Sequence, residues 1–112
     1  GFSFGAWIGM QLLMRRPEIT GFISVSPPAN MYDFSFLAPC PSSGMIINGA
    51  ADRIAPTSAT VELVDKLREQ RGITVTHNEM EGAGHFFEEP FMDPMLETVT
   101  AYVKKRLTET TR

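Results

Sequence analysis

The chain has 112 residues, 43% hydrophobic and 21% charged, with 10 Lys and Arg against 13 Asp and Glu. That length suits one domain and not two, and so weak an acidic balance excludes nucleic-acid binding by bulk charge. One cysteine cannot close an internal disulfide, and with two histidines it makes a poor zinc set.

Apolar stretches are also too short for a membrane helix. The longest, residues 4–14, is about half of the roughly 20 residues a span needs. No basic segment followed by an apolar one marks a secretory leader. A cytoplasmic chain with no membrane partner is the expectation.

In chain order, residues 5–16 carry Ala, Trp, Ile, Met and Leu on nearly every side and end at Pro17. This predicts a buried helix, with Arg15 and Arg16 suiting the negative end of its dipole. Residues 21–26 form a short apolar, β-rich run halted by Pro27 and Pro28. The stretch to Ser43, with four prolines and the aromatics Tyr32, Phe34 and Phe36, predicts a loop packing its own apolar groups. Those aromatics could equally wall an acyl pocket.

Residues 45–49 read as a second apolar strand. Residues 57–71 predict a helix with Val61, Leu63, Val64 and Leu67 inside, stopped by Gly72. Residues 73–77 predict a third strand by β-branching and alternation. A Gly-rich loop, 82–85, leads to a last amphipathic helix over 92–107, with Met95, Leu96, Val99, Tyr102, Val103 and Leu107 at helical spacing. Short apolar strands alternating with helices imply a three-layer α/β/α domain on a short, mainly parallel sheet.

Three segments carry chemistry. Gly1-Phe2-Ser3-Phe4-Gly5 is a G-x-S-x-G pentapeptide, which sets a Ser on a tight strand-to-helix turn, with glycines where a Cβ would clash. Such a turn places Ser3 at a helix N-terminus, with the Phe4 N–H as one donor for an oxyanion. Asp52 follows the strand ending at Gly49, at the carboxyl edge where open parallel sheets gather functional groups. His85 follows the next strand in the loop Gly82-Ala83-Gly84, with Phe86 and Phe87 behind it, which suggests an imidazole held against an apolar wall. Asp33, after the first strand, is the competing acid. Gly1, Gly5 and Gly9 fall at intervals of four and do not make a dinucleotide-binding G-x-G-x-x-G.

Ser, then acid, then His, each after a successive strand, is the chain order of α/β-hydrolases. The sequence resembles that family, nearest the small bacterial serine hydrolases of the dienelactone-hydrolase and esterase branch. The resemblance runs through residues 1–112 and covers the carboxyl half of the fold, from the nucleophile turn onward. It implies Ser3 as nucleophile, His85 as general base and then acid, and Asp52 as the group orienting the imidazole. It also implies a small acyl or ester substrate, with no metal or organic cofactor.

Family members carry further strands before this turn, and a loop there supplies a second oxyanion donor. A partial domain opening at the turn is therefore expected, active in an intact parent and weak or inactive alone. A non-catalytic fragment that self-associates or binds a partner through a bare sheet edge is the alternative.

Overall fold

A computed structural model describes residues 2, 3, 5, 8–11, 21–32, 34, 43–70 and 72–110, with side chains up to residue 107. Its elements are β1 (Phe22–Val25), β2 (Gly44–Gly49), α1 (Thr57–Arg68), β3 (Val75–Met80) and α2 (Met92–Thr110). Gly5 and residues 8–11 are also helical. The strands lie in the order β1-β2-β3, and both pairings are parallel. Phe2 adds an isolated parallel bridge to Val25.

β2 explains this arrangement best. All six of its residues are buried, and its side chains alternate between two separate cores. Ile46 faces Met10, Phe34, Leu63, Val64, Leu67 and Val75. Met45 and Ile47 face Val25, Ala83, Phe87 and Met95. A strand covered on both faces reads as a continuous apolar run, and here it is the middle layer of an α/β sandwich. Phe34 and Tyr32 pack into the first core, while Phe36 lies outside the described residues.

Several boundaries and faces differ from those the sequence predicts. The third strand runs Val75–Met80 and not 73–77, because its pairing partners on β2 extend to Gly49. On α1, Thr60 turns inward with Leu63, Val64 and Leu67, whereas Val61 is exposed. On α2, Met95, Val99 and Tyr102 pack on the second core, and Leu96, Val103 and Leu107 face outward. In both helices a position adjoining the buried stripe is turned out by about 100° per residue, beyond what the sheet can cover. Residues 6, 7 and 12–16 of the expected first helix, with Trp7 and Met14, lie outside the described residues, as do Pro17 and Cys40.

Candidate active site

Parallel pairing aligns the carboxyl ends of all the strands. The chain leaves β1 at Ser26, β2 at Gly49 and β3 at Met80, and the Phe2 bridge sets Ser3 beside the end of β1. The loops after these strands therefore meet at one edge of the sheet.

Ser3 sits in a strained turn, with φ at 54°, a left-handed value that non-glycine residues seldom adopt. Its amide donates to Val25 O at 2.8 Å, and the Gly5 amide donates to Phe2 O at 2.9 Å. Ser3 itself carries the strain of the turn. A Cβ built on Gly5 meets no described heavy atom within 4 Å, so the expected clash is not found there. Gly1 and the expected oxyanion donor, Phe4, lie outside the described residues.

Asp52 is fixed by the loop that follows β2. Its amide donates to Gly49 O at 3.1 Å, and its Oδ1 accepts the amides of Ile54 at 2.8 Å and Ala55 at 2.7 Å. This Asx-type turn occupies one carboxylate oxygen and aims the other at His85. Oδ2 lies 2.7 Å from His85 Nδ1, with both side chains buried. The opposite ring nitrogen, Nε2, lies 2.7 Å from Ser3 Oγ.

These contacts select a tautomer. A carboxylate only accepts, so neutral His85 carries its proton on Nδ1 and donates it to Asp52. Nε2 is then left with a lone pair, which accepts the Ser3 hydroxyl. The three residues form one directed line from carboxylate to hydroxyl. Asp33, the competing acid, lies outside the described residues.

The imidazole packs beside a pair of phenyl rings. Phe86 meets it edge-on at 4.9 Å between centroids and Phe2 at 6.1 Å, and the two phenyl rings stack at 6.1 Å. Phe86 is half exposed, and an open cleft of about 320 Å³ runs along residues 84–89 and Phe91. Among the described residues, no group of three His, Cys, Asp or Glu side chains is placed to hold a metal ion, and no helix is long and apolar enough to cross a membrane.

Two residues at this edge escape a reading of the sequence. Ser26, read only as the end of a strand, donates its hydroxyl to His85 O at 2.7 Å. Gly49, read the same way, lets the His85 loop approach β2: a Cβ there would lie 2.1 Å from Ala83 O. A small residue at the carboxyl end of a buried strand is the signal that could have found Gly49.

No family model matches the chain. An uncharacterized protein of Rickettsia prowazekii is 52% identical over 91 residues, covering 78% of this chain and 38% of that protein. A crystal structure of a protein of unknown function from Agrobacterium tumefaciens, described as a candidate α/β hydrolase, is 57% identical. It superposes with a TM-score of 0.94 over 97% of this chain and 50% of its own. An α/β serine hydrolase without a lid from Xanthomonas campestris is 32% identical, with a TM-score of 0.69 over 83% of this chain and 40% of its own. An α/β serine hydrolase homologue from Coxiella burnetii gives 31% identity and a TM-score of 0.65, over 83% of this chain and 42% of its own. The class that fold and likeness point to is the α/β-hydrolase superfamily: the chain has the α/β fold of these hydrolase relatives and matches part of their length. It spans half or less of the length of these relatives.

Proposed function

We propose that the chain carries the nucleophile, base and acid of a serine hydrolase that cleaves a carboxylic ester or related acyl compound through an acyl-enzyme. The observation that carries this reading is the continuous line Ser3 Oγ, His85 Nε2, His85 Nδ1, Asp52 Oδ2, with both contacts at 2.7 Å. Its chemistry follows from that direction. Ser3 Oγ attacks the acyl carbon as Nε2 takes the hydroxyl proton, and Asp52 holds the Nδ1 proton and stabilises the imidazolium. The tetrahedral oxyanion takes the Phe4 amide as one donor. Its collapse breaks the ester C–O bond, and the imidazolium returns the proton to the leaving alkoxide. Water, activated by the same nitrogen, then attacks the acyl carbon and releases the acid and free Ser3.

Supporting context comes from the strained Ser3 backbone, which lifts the hydroxyl to the sheet edge, and from relatives described as serine hydrolases. The aromatic flank and open cleft beside His85 suit a small apolar acyl or alcohol group, in a single partial domain that works within a larger hydrolase. Hydrolysis of short activated esters by the intact parent hydrolase tests this proposal. Turnover should fall by several orders of magnitude in both Ser3→Ala and His85→Ala, because members of one relay fail together. Turnover that survives Ser3→Ala would refute it.

A further inference from the structure

Nucleophile and base come from loops 82 residues apart, yet their reacting atoms lie 2.7 Å from each other. Something common to both loops has to set that distance. Besides the aromatic contacts of Phe2, the dipeptide Val25-Ser26 hydrogen-bonds to both among the described residues. The Val25 carbonyl accepts the Ser3 amide at 2.8 Å, and the Ser26 hydroxyl donates to the His85 carbonyl at 2.7 Å. Val25 and Ser26 are both buried, and the Ser26 amide is itself held by Ile47 O at 2.8 Å.

The backbone at Ser26 goes against local preference. Its φ is 53°, in the left-handed region, and the residue after it is Pro27, which steers a preceding residue toward extended backbone. Strain of this kind persists where surrounding contacts over-determine it. Here the contacts that do so are hydrogen bonds to β2, to the Ser3 turn and to the His85 loop.

From this geometry we infer that Ser26 is a positioning residue, whose hydroxyl fixes the His85 backbone at the separation from Ser3 that proton transfer requires. Ser26 touches neither reacting atom. It acts through the carbonyl of His85, while its neighbour Val25 holds the other side of the same gap. The inference rests on the triad proposed above.

Three substitutions separate the hydroxyl from the backbone. Ser26→Ala removes the donor and keeps the strained φ. Ser26→Gly removes the donor and tolerates that φ without strain, so the fold is preserved. Ser26→Cys keeps a weak donor in nearly the same place. Small displacements of a catalytic group are costly, so in the intact parent hydrolase kcat for ester hydrolysis should fall about tenfold or more in both Ala and Gly variants. KM should stay nearly constant, and Cys should recover part of the loss.

A Ser26→Gly variant with wild-type kcat would overturn the inference, since the hydroxyl would then be dispensable. So would a loss confined to KM, which a displaced base does not produce. Ser3→Ala, run alongside, distinguishes the two levels. If it remains active the triad itself fails. If it is inactive while Ser26→Gly is fully active, only the positioning role of Ser26 fails.

Discussion

A buried carboxylate needs its lone pairs occupied, and Asp52 meets that need within four residues of chain. The Ile54 and Ala55 amides take Oδ1, which leaves Oδ2 for His85. The other histidine shows the opposite arrangement. His77 Nε2 lies 2.5 Å from Asn48 Oδ1, while Asn48 Nδ2 donates to Thr57 Oγ1 at 3.2 Å. Nε2 therefore carries the proton of a neutral ring. Burial lowers the His77 pKa, and Arg68 adds to this, against the opposing pull of Glu79 and Asp65. A cation-forming group with a lowered folded pKa is protonated more readily in the unfolded chain. Its contribution to stability is complete above the unfolded value of about 6.5 and is lost as pH falls through the folded value. Thermal melting of the wild type should weaken across that acidic window more than melting of His77→Gln, whose amide can still donate to Asn48. Parallel curves for the two would contradict this.

At the scale of elements, Gly49 decides how closely the His85 loop approaches β2. The Ala51 amide donates to Ala83 O at 2.9 Å, and that carbonyl lies where a Cβ on Gly49 would sit. Ala83 belongs to backbone, which cannot turn aside as a long side chain can. Gly49→Ala should push the loop outward, lowering both the melting temperature and esterase turnover; a variant with wild-type values of both would show that the loop has room to spare. Neither this approach nor the Ser26 contact was legible in the sequence, because each depends on loops 34 or more residues distant meeting in space. What periodicity and chain order do convey is local. The apolar run 45–49 declares a strand buried on both faces, and Gly-rich turns mark where Ser3 and His85 leave the elements. The buried face of α2 was only half legible, since Leu96, Val103 and Leu107 share the spacing of the residues that do pack. Spacing defines a stripe, and the width of the sheet beneath decides how much of it is covered.

On the scale of the whole molecule, two cores share one central strand, so stability and site geometry are coupled through β2. Ile46 is fully buried between Leu63, Val64 and Val75 in the first core, and truncation to Ala should cost about 2–5 kcal/mol. Leu96, 49% exposed, should cost no more than about 0.5 kcal/mol on the same change. Denaturant unfolding of the two variants measures both, and equal losses would mean that the outward face of α2 is covered in solution. The same strand carries Gly49 and leads to Asp52, and its neighbours lead to Ser26 and His85, so the parallel order that builds the cores also assembles the site. The central claim is that this assembly activates Ser3. It is tested most directly by exposing the intact parent hydrolase to a fluorophosphonate and locating the adduct by peptide mass spectrometry. The account predicts a single phosphonylated serine at Ser3, with modification lost in Ser3→Ala and strongly slowed in His85→Ala. An adduct on another residue, or labelling of Ser3 at an unchanged rate without His85, would contradict it.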